Sequence, residues 1–129
     1  MPKQDFYIIT NNPLVREKLG MQYTVEFYDI PYEEIFRRVR DQVHQGHLLL
    51  SHPLSGSIKP RETPYKSVMV SKSRGTLDSQ SLLLIEQCIE ACKKFQFRYS
   101  NLPQRVLEDF QLVDFTLIDS AVGSATVAF

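Results

Sequence analysis

The stretch Phe6-Tyr7-Ile8-Ile9-Thr10-Asn11-Asn12-Pro13 decides the fold class, because it joins a strand to a helix with almost nothing between them. Aromatic and β-branched residues in succession suit a short buried strand. Pro13 pushes the residue before it into extended backbone, the geometry of an N-cap, and is itself pre-set for a first helical turn. Asn12 is therefore the expected cap of a helix that runs to about Lys18 and stops at Gly20. A strand that feeds a helix directly is the opening of a β-α-β unit.

Downstream the chain repeats the alternation. Thr24-Val25-Glu26-Phe27-Tyr28 places Val25 and Phe27 on one face, as an edge strand with a solvated side does. Pro31 opens a second helix with Ile35, Phe36, Val39 and Val43 as its buried stripe and Gly46 as its stop. Glu33 with Arg37 and Glu34 with Arg38 stand acid-first at i,i+4, the favourable order. Leu48-Leu49-Leu50 lacks alternation and reads as a central strand covered on both faces, and Ser67 to Ser71 reads as a fourth strand. A third helix starts at Asp78, with Leu77 and Leu82 as a hydrophobic staple and Leu82, Ile85, Ile89, Cys92 and Phe95 facing inward. A last helix starts near Pro103, with Val106, Phe110, Val113 and Leu117 at helical spacing.

The expected fold is α/β: one domain over residues 1–122, followed by a flexible tail over 123–129. The domain is a three-layer open sheet of about four mostly parallel strands, order 2-1-3-4, with helices on both faces, Rossmann- or flavodoxin-like.

At 129 residues and 15.0 kDa the chain has the size of one domain, and 43% hydrophobic with 23% charged residues is a globular composition, not a disordered or fibrous one. Fifteen basic residues balance fifteen acidic ones, so no net positive field draws nucleic acid, and none is expected as a partner. The polar start Met1-Pro2-Lys3-Gln4-Asp5 lacks the apolar core of a secretory signal, and no run approaches the roughly 20 apolar residues of a membrane span. A cytoplasmic protein with no membrane association is expected. Cys88 and Cys92 lie four apart on the apolar face of the third helix, as reduced thiols acting as small hydrophobes.

Ligands of open parallel sheets bind beyond the carboxyl ends of the strands, where strand order reverses. In a 2-1-3-4 sheet that point brings Thr10-Asn11-Asn12 beside the long segment from Ser51 to Pro64, whose three prolines discourage regular structure. Ser71-Lys72-Ser73-Arg74-Gly75 is expected alongside. Lys59, Arg61, Lys66, Lys72 and Arg74 then stand against a single acid, Glu62. Hydroxyls, a glycine and several cations at one sheet edge point to an anion or phosphate pocket, with Asn11, Asn12, Ser51, Ser55, Gly56, Ser57, Lys59 and Arg61 as contacts. His52, with an imidazole that titrates near neutrality, is the candidate acid–base group. Each feature also has a plainer reading: asparagines as caps, Ser55-Gly56-Ser57 as a turn, the cations as a solvated face.

There is no Walker loop and no GxGxxG. His47 and His52 flank a strand, too far apart for one metal ion, so neither metal nor cofactor is expected. Glu108, Asp109, Asp114 and Asp119 spread over several faces of the last helix, as solubilising charges do.

The string from Gly46-His47 through Ser51-His52-Pro53-Leu54-Ser55-Gly56-Ser57-Ile58-Lys59-Pro60 to Thr63-Pro64-Tyr65-Lys66-Ser67 resembles the GrdX family. Ile9-Thr10-Asn11-Asn12-Pro13-Leu14-Val15 and Leu107-Glu108-Asp109-Phe110-Gln111 share the resemblance, which covers nearly the whole chain. It implies a bacterial cytoplasm and association with the glycine, sarcosine and betaine reductase systems of amino-acid-fermenting anaerobes, and it supplies no catalytic residues. The chain lacks the CxxC of a thiol-redox component. Three functions fit: an accessory protein binding an anionic small molecule, an enzyme of acyl or phosphoryl chemistry using the same pocket, and an assembly factor for a reductase complex. A homodimer is plausible in each case.

Overall fold

The computed structural model describes residues 5–53, 63–94 and 102–128, with side chains described up to Ser124. Three strands, β1 (Phe6–Thr10), β2 (Thr24–Phe27) and β3 (Ser67–Ser71), form one sheet in the order β2-β1-β3. Four helices accompany them: α1 (Pro13–Leu19), α2 (Tyr32–His44), α3 (Ser79–Lys94) and α4 (Gln104–Ala128). None of the described helices is long and apolar enough to cross a membrane.

The first β-α-β unit forms as the opening residues require. Asn12 is extended at φ −97° and ψ 113°, and its Oδ1 accepts the Leu14 amide at 3.0 Å, with Pro13 in the first turn. β1 and β2 then pair in parallel, Ile8 opposite Val25, with β2 at the edge. The stripe Ile35, Phe36, Val39 and Val43 is wholly buried on α2. It packs with α3 (Ile85, Cys88, Ile89, Cys92) over the Tyr7, Ile9, Val68 and Val70 face of the sheet. The opposite face, Phe6, Ile8 and Met69, is covered by Val15 and Leu19 of α1 and by Ile118 and Val122 of α4.

Three expectations fail here. The sheet is not four mostly parallel strands: β3 runs antiparallel to β1, with Ile8 opposite Met69, and Leu48-Leu49-Leu50 contributes only an isolated antiparallel bridge from Leu49 to Val70. The described strand order is therefore β2-β1-β3, with the 48–50 segment outside β3, and the 2-1-3-4 Rossmann-like order is overturned. The cause lies in the connection. A parallel return needs a crossover of a dozen or more residues, usually a helix, and a segment with Pro53, Pro60 and Pro64 is a poor helix former, so the chain reverses instead. β3, buried at all five positions, takes the interior place, while Leu48 and Leu50 stay 42% and 40% exposed beside it.

On the surface of α2, Arg37 bonds Glu34 one turn back, and Arg38 stacks over the Tyr28 ring, 4.1 Å from its centroid. α4 turns Asp114, Ile118 and Val122 inward and leaves Val113 exposed, so its buried stripe lies one residue round from the expected one. Its helical backbone continues past Gly123 to Ala128. Leu77 remains half-exposed, and Phe95 lies outside the described residues.

Candidate functional site

Antiparallel β3 starts beside the carboxyl end of β1, with Ser67 opposite Thr10, and finishes beside its amino end, with Ser71 opposite Phe6. The expected basic cluster is thereby divided. Lys66 stands at one end of the sheet with Asn11. Lys72, whose amide bonds the Asp5 carbonyl, and Arg74 stand at the other, about 17 Å away for a five-residue strand. There Arg74 lines a hollow with Gly46, Leu48 and Gly75, apart from the candidate site.

At the carboxyl end of β1 the side chains build a buried polar cluster. Asn12 Nδ2 donates to the Gln111 carbonyl at 2.9 Å and to Asp114 Oδ2 at 3.0 Å. Ser67 Oγ donates to the same Asp114 oxygen at 2.7 Å. Thr10 Oγ1 and Ser67 Oγ are 2.7 Å apart, and with the Ser67 proton committed to Asp114 the donor of that bond is Thr10. Thr10 Oγ1 in turn accepts the Asn12 amide. Asp114 is 5% exposed, and burial pushes its carboxyl above the usual carboxylate range, against the opposing pull of the Asn12 and Ser67 hydrogen bonds and the Lys66 charge. Its assignment to the solubilising surface is thus corrected. The spacing of α4 held a signal, because Asp114, Ile118 and Val122 recur at i, i+4 and i+8 on one stripe.

Asn11 is equally committed. Its Nδ2 donates to the Ile30 and Pro64 carbonyls, each at 2.9 Å, and its Oδ1 accepts the Lys66 amide at 2.8 Å. Both amide hydrogens of Asn11 and of Asn12 are therefore used inside the fold, which ties the β1 end to α4, to the entry of α2 and to the start of β3. Ser51 Oγ accepts the Met69 amide at 2.9 Å. Ser55, Gly56, Ser57, Lys59 and Arg61 lie outside the described residues.

Two concavities flank the 64–67 segment. The open one, about 390 Å³, lies at the carboxyl ends of β1 and β2 between Asn11, Asp29, Tyr32 and Tyr65. The other is a crevice of about 10 Å³, room for one water, lined by Ser51, His52, Lys66, Ser67, Asp114, Leu117, Ile118 and Ala121. Lys66 is the residue that sequence reasoning left out of the contact set. It is 7% exposed, and its ammonium makes no hydrogen bond or ion pair among the described residues. Desolvation holds its pKa below the usual lysine range, and Asp114, Cys88 and Cys92 act on it only at longer range. His52 lines the crevice and is exposed. Lys66 and His52 thus both border this crevice, next to the buried polar cluster of Ser67 and Asp114.

A family model described as GrdX-like protein matches residues 7–123. No curated protein and no solved structure matches the chain.

Proposed function

The chain belongs to the GrdX-like family, and on that premise we propose that it is a small accessory protein that binds a phosphate- or carboxylate-bearing molecule where β1 ends and β3 begins. One observation carries the reading: Lys66 is buried with no anionic or hydrogen-bonding partner for its Nζ among the described residues. Burying a cation without a partner is costly, and a methionine would fill the same volume at no such cost. In this reading the amine is explained by an anionic ligand that reaches it at this end of the sheet. Ser55, Gly56, Ser57, Lys59 and Arg61 are its proposed further contacts, supplying hydroxyls, amides and charge. The cytoplasmic, reductase-associated setting implied by the resemblance belongs to this reading.

The test is thermal unfolding against phosphate, acetyl phosphate and small carboxylates, in wild type and in Lys66→Met. A ligand at one hundred times its Kd adds about 2.7 kcal/mol, a rise of several degrees for this size. Lys66→Met is expected to match or exceed the wild-type midpoint without ligand and to lose the ligand-induced rise. A wild type that responds to none of the anions, or a variant that keeps the full response, refutes the reading. The first outcome directs attention to a protein partner.

A further inference from the structure

We propose that the hollow at the amino end of β1 is a second binding site, one that takes a small carboxylic acid with a hydrocarbon chain. It stands apart from the reading above, because about 17 Å of strand separates the two ends of the sheet. The antiparallel course of β3 builds it. β3 finishes at Ser71 opposite Phe6, and the chain then curls without regular structure until α3 starts at Ser79. The Gly75 amide donates to the Gly46 carbonyl at 3.0 Å, an approach so close that a Cβ on Gly46 would come within 2.1 Å of the Gly75 carbonyl oxygen. This contact joins the end of α2 to the curl and leaves an open hollow of about 300 Å³. Small-molecule sites occupy roughly 300–1,000 Å³ and combine apolar walls with a few polar groups.

The apolar walls are Leu48 and Leu77, which come from separate segments and are 42% and 49% exposed. Leu77 is left over for the hollow because Leu82, its expected staple partner, packs against the core beneath α2 and α3.

Two charged residues share the lining, Arg74 and Asp78. Asp78 is spent inside the fold: its Oδ2 accepts the Ser81 amide at 2.9 Å and the Ser81 hydroxyl at 2.7 Å. Arg74 is exposed and makes no hydrogen bond or ion pair among the described residues. The charge on offer is therefore a guanidinium, which grips a carboxylate through two parallel N–H donors. A bare phosphate would leave both leucines wet, and an alkyl amine would meet Arg74 as a like charge. An acid with a chain satisfies the guanidinium and the leucines together, and Ser73 and Thr76 add hydroxyls to the same lining.

The test titrates the isotope-labelled full chain with acetate, butyrate and hexanoate, and with butylammonium as the charge-reversed probe, and follows backbone amide shifts by NMR. Butyrate and hexanoate are expected to give saturable shifts at Leu48, Gly75, Thr76 and Leu77, with affinity rising about fourfold for each added methylene, and butylammonium none. Arg74→Gln changes an exposed side chain with no partner to lose, so it is expected to keep the wild-type Tm and to lose about tenfold or more in affinity for hexanoate. The proposal is overturned if no acid gives saturable shifts, if affinity ignores chain length, if butylammonium binds as well, or if Arg74→Gln binds hexanoate as tightly as wild type. Shifts confined to the residues around Lys66 overturn it too, while leaving the site at the opposite end of the sheet standing.

Discussion

Replacing Asn12 by alanine removes three interactions at once, and their sum separates a structural asparagine from a ligand contact. Its Oδ1 caps α1 at the Leu14 amide, and losing such a cap costs about 1 kcal/mol. Its Nδ2 bond to the Gln111 carbonyl contributes about 1 kcal/mol, and the bond to Asp114 about 2 kcal/mol, since its loss leaves a buried carboxyl oxygen one partner short. Taken together the expected loss is about 4 kcal/mol, or roughly 15 °C in Tm for a chain of this length.

The loss also has a pH signature. Asp114 keeps its proton to higher pH in the folded than in the unfolded chain, so its contribution to stability is complete below the unfolded value near 4 and declines as pH rises through the folded value. The Asn12 bond opposes that shift by favouring the carboxylate. In Asn12→Ala the Asp114 pKa climbs further, and the deficit against wild type widens from pH 4 to pH 7. Urea unfolding followed by circular dichroism at the two pH values measures both effects. A deficit under 1 kcal/mol, or one that narrows as pH rises, refutes this account of the cluster.

Two further predictions concern the frame around the site. Gly46 has φ +101°, and a Cβ there would lie 2.1 Å from the Gly75 carbonyl oxygen, so Gly46→Ala is expected to cost at least about 2 kcal/mol in urea unfolding. A wild-type urea midpoint would show that the α2–β3 turns can shift past each other. Burial pushes the Cys88 thiol up to about 12, so in native protein at pH 8 iodoacetamide should leave it intact, and denaturant should make it react. Rapid alkylation of Cys88 in the native state would contradict the packing of α3.

Local chemistry made the elements legible. Asn12-Pro13 specifies a helix start in two residues, and the 3.6-residue stripe of α2 is strong enough that Ile35, Phe36, Val39 and Val43 are all buried. β2 shows itself as an edge strand through its alternation. What resisted reading was relational. Strand direction is not encoded in the residues of a strand: Ser67–Ser71 would serve equally well in a parallel or an antiparallel place, and only its pairing with β1 shows which. The reversal has consequences for the site, because it sends Lys72 and Arg74 to the opposite end of the sheet and breaks up a cluster that looked continuous along the chain.

The cap role of Asn12 was legible in the sequence, and the further partners of Asn11 and Asn12 were not. Their sequence marks a strand end where polar groups gather, and the tertiary structure then uses both amide groups to join distant segments, up to 102 residues apart for Asn12 and Asp114. Asp114 and Lys66 lie beyond the reach of pattern reading for a related cause. A charged residue is presumed exposed until the partner elements are known, and its burial is set by which helix covers which end of which strand. By itself, then, the sequence determined the helices, the first parallel unit, the family and the end of the sheet where polar residues converge. The tertiary structure decided the direction of β3, the inward turn of Asp114 and the burial of Lys66, because these follow from long-range packing and desolvation, which no local spacing of residues contains.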